Sequence, residues 1–505
     1  MKSSVEQFIS LNYLYPDLRE RVAHLSKDTS AVEESRSRIE KALNDGNTYY
    51  GINTGFGILA NKRIPGKDLS QLQRNLLLSH AVGVGDPVPV DISRLMLQLK
   101  IHTLGLGYSG VSLPVFKRLT WFAEQDLVPV IPSKGSLGAS GDLAPLAHMS
   151  LPLLGMGHFW DKDGKEKIPA DVILKKHGLE PVELQPKDGL SLINGTQLMT
   201  AYGAWVLEKS INLLKIADIL ASISIEALQG SIKPFDERIH LVRPHEGQKN
   251  VASNVRNLLQ DSEILESHRH CGKVQDPYCL RCVPQVHGAS RDALAFAGKT
   301  IETEINSVND NPLVFENGDI ISGGNFHGQP LAYAMDFAAI ALSELAGISE
   351  RRIYLLLEGH DGLPKLLMSE TGINSGFMIP QYTAASLVSE NKVLCHPASV
   401  DSIPSSLGQE DHVSMGSISA TKLLQVYKNV ETVLAIELLT ASQALDFRKP
   451  LRPGKGVEKA YEIVRDIIPH ADRDMYFGDF IEKSVQILRN TDFVRETEKI
   501  CGDLH

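Results

Sequence analysis

The segment Gly135-Ser136-Leu137-Gly138-Ala139-Ser140-Gly141-Asp142 spaces three glycines three residues apart around an Ala-Ser-Gly tripeptide. Glycine permits φ > 0 and close backbone approach, so this stretch can fold into turns that side chains forbid. A phosphate cradle would need a following Gly-Lys-Ser/Thr or the dinucleotide spacing, and neither is present. A nucleophilic serine on a Gly-x-Ser-x-Gly turn also fails, because Gly138 stands two before Ser140 but Asp142 two after it. A purely structural loop is the plain alternative. A further reading is chemical. Attack of the Gly141 amide nitrogen on the Ala139 carbonyl, with loss of the Ser140 hydroxyl as water, would give a five-membered ring bearing an exocyclic methylidene. Such a ring is a carbon electrophile, which ordinary side chains do not supply.

A second cluster competes. His268, His270, Cys271, Cys279 and Cys282 give H-x-H-C and C-x-x-C within one short stretch, a spacing that could bind zinc and support a metal-dependent hydrolase. Small loop or buried cysteines are the plainer expectation, and no metal is expected. A helical scaffold without catalysis is the remaining alternative.

The motifs extend well beyond one loop. GSLGASGDLAPLAHMS (135–150) resembles the prosthetic-group signature of the aromatic amino acid ammonia-lyases. YGINTGFG (50–57), LSHAVGVG (78–85), LINGTQ (192–197), VQDPYCLRC (274–282), SVNDNP (307–312), GGNFHG (323–328), SENKVLCHPASVDS (389–402) and QEDHVSM (409–415) resemble further blocks of that family, in its order. The resemblance implies a methylidene-imidazolone formed autocatalytically from Ala139, Ser140 and Gly141, with no external cofactor. It also implies removal of a β-proton and release of ammonia. Tyr50 matches the family's base, and since a phenol ordinarily titrates near 10, a nearby cation or dipole is expected to lower it. Arg281 is expected to grip the substrate carboxylate bidentately. Asn194, Gln275 and Tyr278 match residues that hold the prosthetic group and substrate by hydrogen bonds, and Phe326 one that packs against them.

Two features point to the histidine-acting branch, which converts L-histidine to trans-urocanate. Ser79-His80 resembles the pair found there, whereas relatives acting on tyrosine or phenylalanine tend to carry His-Leu or Phe-Leu. Glu410 could accept a hydrogen bond from an imidazole N–H, and a phenyl ring would leave that carboxylate unpaired, at a cost of about 1–3 kcal/mol. Activity on tyrosine or phenylalanine, or an aminomutase of the same family, is the alternative.

These residues need long elements to hold them. Residues 417–447 contain no Gly or Pro and predict a helix of roughly 45 Å, closed by Arg448, Lys449 and Pro450. Leu423, Val426, Val430, Val433 and Leu434, with Leu424, Ile436, Leu438 and Leu439, cover more than one stripe of it, so it is expected to be buried on several sides. Similar helices are expected over 196–229, stopped by Gly230, and 331–346, stopped by Gly347; a shorter amphipathic one covers 69–82. Glycine and proline concentrate at 50–57, 83–89 and 129–145, which predicts a loop-rich amino-terminal part. The expected fold is mainly α, aspartase/fumarase-like, with an amino-terminal domain over 1–190 carrying the Ala-Ser-Gly loop and a helical-bundle domain over 191–505. Helices too apolar for one chain to cover imply an oligomer, and the resemblance makes it a homotetramer whose sites draw on several subunits.

The composition fits this. In 505 residues, 51 Lys and Arg stand against 61 Asp and Glu, for a net charge of −10, which argues against a nucleic-acid binder. Hydrophobic residues at 43% and charged residues at 22% exclude global disorder. Five cysteines are too few for a disulfide framework, no run of about 18 uncharged apolar residues occurs, and the start carries Glu6, Asp17 and Glu20 with no apolar segment. A cytoplasmic protein without membrane association is expected.

Overall fold

A computed structural model of the chain describes residues 8–55, 57 and 63–505. Glu6, and Phe56 within the 50–57 block, lie outside the described residues. The chain is mainly α. Among the described residues its β-structure is confined to short antiparallel ladders, of which Val84–Pro87 with Pro132–Lys134 borders the Ala-Ser-Gly loop.

The chain forms two compact units, each assembled from separated stretches. The first comprises Met1–Trp205, Gly298–Asp336 and Pro397–Thr421, and the second Val206–Ala297, Phe337–His396 and Lys422–His505. The single cut expected at 190/191 falls inside the helix Asp188–Ile193 of the first unit. Four of the five unit boundaries fall within long helices, Gln197–Ala227, Val283–Ile305, Gln329–Leu357 and Gly416–Asp446, and the fifth, between His396 and Pro397, falls between helices. Helix Gly416–Asp446 buries Leu423, Leu424, Val426, Val430, Val433, Leu434, Ile436, Leu438 and Leu439, as its all-round apolar pattern requires. The stop expected at Gly347 does not occur, and the helix runs on to Leu357. A mid-helix glycine costs only about 1 kcal/mol, and the following turns bury Ile348, Ile353 and Leu356. This same helix is long and apolar enough to cross a membrane by length and composition. Asp336 and Glu344 interrupt it, so it holds no long uncharged run, and 67% of its apolar window is buried inside the chain.

In the first unit, helices Leu69–His80 and Asp188–Ile193 meet at close range. The Gly189 N–H donates to Gln73 Oε1 at 2.8 Å, and a Cβ at Gly189 would stand 3.0 Å from the Gln73 carbonyl oxygen. The start of the second helix is fixed by buried Asp188, whose carboxylate accepts from Ser112 N and Ser112 Oγ, both at 2.7 Å, and from Gln185 N at 2.8 Å. Ile52 packs with Ile39 and Val314 and anchors the loop that carries Tyr50.

The second unit is organised by buried ions. Arg352 and Glu437, both fully buried, form a fork at 2.5 and 2.8 Å, and Ser224 Oγ donates to the same carboxylate at 2.7 Å. His287 and Arg291 both reach Asp218, at 2.7 and 2.6 Å. All four long helices place their partners into these pairs, so each carboxylate is satisfied within the core.

Candidate active site

The chain enters the glycine-rich loop from strand Pro132–Lys134 and cannot leave room for side chains there. Gly138 has φ +67°, and a Cβ would lie 2.4 Å from Ser414 Oγ; Gly141 has φ +74°, and a Cβ would lie 2.1 Å from the Gly195 carbonyl oxygen. Three carbonyls of the loop are tied to residues 414–417. Leu137 O accepts from Met415 N at 3.0 Å, Gly138 O from Ser414 Oγ at 3.1 Å, and Ser136 O from Ser417 Oγ at 2.5 Å. On the other side, Asn194 Nδ2 donates to Ser140 O at 2.8 Å and to Ser140 Oγ at 3.1 Å, while Asp142 N donates to Gly195 O at 2.7 Å.

The tripeptide is thus held by its backbone from two sides. Only glycine fits at 141, where the ring nitrogen would come from, and Asn194 keeps buried Oδ1 without a partner beside Ser140. These residues fit a ring closed from Ala139, Ser140 and Gly141. Asp142 stands before helix Leu143–Ser150 but makes no side-chain cap bond. Its buried carboxyl accepts from Ser136 Oγ and Met199 N, each at 3.0 Å, and burial pushes its pKa up to about 7 against those donors.

Ser140 opens into a cavity of about 400 Å³ that also gathers Tyr50, Ser79, His80 and Glu410. Leu72, Leu76, Leu190 and Ile193 line its apolar side. Burial lowers the His80 pKa, opposed by the Leu76 carbonyl and the charge of Glu410. Glu410 is tethered by Ser405, whose hydroxyl donates to Oε2 at 2.6 Å. Gly408, two residues earlier, has φ +89°. The Tyr50 hydroxyl accepts from Gly57 N at 3.3 Å. The lowering expected for this phenol is not what the described residues produce. Burial raises its pKa, the Gly57 N–H opposes this, and Glu410 adds to it. Leu190 and Ile193 carry no chemical signal in the sequence; only the helix contact with Gln73 brings them here. Phe326 is half-buried on the turn before Gly328 and does not line this cavity.

Gln275 and Arg281 line a cavity of about 330 Å³ in the second unit, with Lys233, Ser231 and Gln285. The Arg281 guanidinium lies 4.4 Å from the centroid of exposed Tyr278, and its Nε donates to the Asp276 carbonyl at 2.9 Å. Asp276 lines the same cavity, its carboxylate taken by Ser231 N at 2.6 Å, and the two cations with amide and hydroxyl groups suit a ligand carboxylate.

The zinc alternative finds no support in the geometry. Both ring nitrogens of His268 face backbone carbonyls, of Ile264 at 2.7 Å and Gly230 at 3.0 Å, none of the five cysteines forms a disulfide, and Cys271 is exposed. Among the described residues no three His, Cys, Asp or Glu side chains converge as metal ligands.

Comparison with known proteins agrees with the loop and the helices. The aromatic amino acid lyase family model matches residues 10–466. The chain is 50% identical over 472 residues to a histidine ammonia-lyase of Myxococcus xanthus, covering 93% of this chain and 92% of that protein. A crystal structure of histidine ammonia-lyase from Trypanosoma cruzi superposes with a TM-score of 0.87 at 40% identity, over 97% of this chain and 92% of that one. A tyrosine aminomutase from Streptomyces globisporus gives 0.90 at 35% identity, over 99% of both chains. With the family model matched over residues 10–466 and half the residues identical to a relative along nearly the full length, the chain belongs to the aromatic amino acid lyase family.

Proposed function

We propose that this protein deaminates L-histidine without oxidation, to trans-urocanate and ammonia, on a methylidene-imidazolone formed from Ala139, Ser140 and Gly141. The observation that carries the reading is the cavity in which the Ser140 hydroxyl, Tyr50, His80 and Glu410 meet. The names of the relatives at about half identity support histidine as substrate. The ring, when formed, supplies a carbon electrophile that activates the amine as leaving group.

The remaining work belongs to side chains. Glu410 accepts the imidazole N–H, and His80 pairs with the other ring nitrogen; the leucines and Ile193 exclude water from the ring faces. Arg281 takes the carboxylate as a planar fork, with Gln275 and Tyr278 beside it. Asn194 holds the Ser140 carbonyl and keeps the closed ring oriented. Tyr50 Oη takes the β-proton, and its raised pKa places that step on the alkaline side of neutrality. Phe326 is assigned a packing role around the group. As in the family, sites that draw residues from several subunits of a homotetramer complete the assembly. Exposed Phe296, Phe337 and Ile340 on long helices support such packing. No nucleic acid or membrane partner is proposed, and the compartment is the cytoplasm.

The test is product formation from L-histidine, L-tyrosine and L-phenylalanine, with mass spectrometry of the 135–150 peptide. Urocanate from histidine alone, and a peptide two waters light, is the expected result. A β-amino acid product would make the protein an aminomutase, and a hydroxyl-bearing Ser140 in active protein would remove the electrophile.

A further inference from the structure

Lys100 is fully buried in helix Val90–Gly105, and no part of the reaction described above uses it. Its Nζ donates to the Asn194 carbonyl oxygen at 2.7 Å. The nearby carboxylate of Asp310 is already engaged by Lys187 at 2.9 Å. Burial drives the Lys100 pKa down to about 7, with Asp310 and Asp142 opposing and Lys187 adding to the shift. An amine in such a place is costly, and an unbranched apolar side chain would fill the volume at lower cost. The position therefore calls for a donor.

What the donor holds is one peptide unit. Asn194 ends the helix Asp188–Ile193 in extended geometry, and Gly195 follows with φ +138°. The side chain of Asn194 points to Ser140 O and Oγ, its carbonyl points to Lys100, and the next carbonyl, of Gly195, takes the N–H of Asp142. Lys100 thus fixes the peptide that lies between the two clamps on the Ala-Ser-Gly segment.

We propose that Lys100 is a positioning residue for ring closure, acting through the Asn194–Gly195 peptide on Ser140 and Gly141. This rests on the ring assigned under the proposed function. In closure the Gly141 nitrogen bonds to the Ala139 carbonyl carbon, and the carbonyl oxygen leaves as water with one proton from that nitrogen and one from the Ser140 nitrogen, which becomes doubly bonded to the same carbon. Ser140 then loses its α-proton and hydroxyl as a second water, leaving the Cα=Cβ bond. Closure is intramolecular, so its rate depends on the approach of two backbone atoms, a misplacement of about 1 Å costs roughly 100-fold, and the second loss waits on it.

The test is Lys100→Met, which keeps the length and removes the donor. The variant should fold and assemble like the parent chain, while the 135–150 peptide loses its two waters roughly 100-fold more slowly. Complete loss at the parent rate would overturn the assignment. A second variant guards against misfolding. Lys100→Ala lacks Cγ to Nζ, the atoms of n-propylamine, so refolding with that amine should restore water loss, and propionitrile, of similar size but with no hydrogen to donate, should not. Equal restoration by both would reduce Lys100 to packing. A parent chain that keeps both waters ends the ring reading and this assignment with it; a modified parent beside a fully modified Lys100→Met ends this assignment alone.

Discussion

Tyr50 and Glu410 share one cavity and act on each other. The phenol is raised by burial and by the neighbouring carboxylate, so its ionised fraction grows with pH. The kcat/KM for L-histidine is therefore expected to climb from neutral into alkaline pH, and Tyr50→Phe should lower kcat by about 10²–10⁴ and remove that limb, read from a pH–rate profile. Glu410 sets the ring specificity by a different physics. A carboxylate that loses its N–H partner stays desolvated and unpaired, whereas a leucine there has nothing to lose. Glu410→Leu should cut kcat/KM for L-histidine by roughly 10–100-fold, the worth of a hydrogen bond to a charged group, and narrow the gap to L-phenylalanine, measured by competing the two substrates.

The cavity wall is made by a contact between two helices. Leu72, Leu76 and His80 come from Leu69–His80, and Leu190 and Ile193 from Asp188–Ile193, with Gly189 pressed against Gln73 between them. A methyl group at Gly189 would stand 2.9 Å from Gln73 Oε1 and 3.0 Å from its backbone oxygen, and the backbone cannot swing aside as a side-chain tip can. Gly189→Ala should cost about 1–3 kcal/mol in denaturant unfolding. Because the same shift separates the walls, KM for L-histidine should rise while the water loss from residues 135–150 stays complete.

At the scale of the molecule, buried acids make stability depend on pH. Glu226, in the second unit, accepts from Gly454 N at 2.8 Å and from Ser262 Oγ, yet burial pushes its pKa up to about 8. The unfolded chain releases this proton near the ordinary 4.5, and the native chain only near 8. Between these values the native state holds a proton that the unfolded state lacks, so stability falls as pH rises through the window. Glu226→Gln should flatten that slope in thermal unfolding between about pH 5 and 8 and leave KM for L-histidine unchanged.

The types and order of the motifs already carry the family resemblance. Ala-Ser-Gly flanked by glycines, Tyr50, Ser79-His80 and Glu410 were legible because reactive groups are read by residue type, and the long helices because their apolar period is local. Helix Gly416–Asp446 ends within a residue of its expected limits. Other features needed the tertiary fold, since they depend on what lies across a contact. Gly347 does not stop its helix because buried side chains follow it, and Leu190 and Ile193 become cavity wall only through Gln73. Asp142 is a buried acid that accepts from Met199 N only because the fold brings the two together. Lys100 and the direction of the Tyr50 pKa were equally hidden, because burial sets the cost of a charge and sequence does not state which groups are buried together.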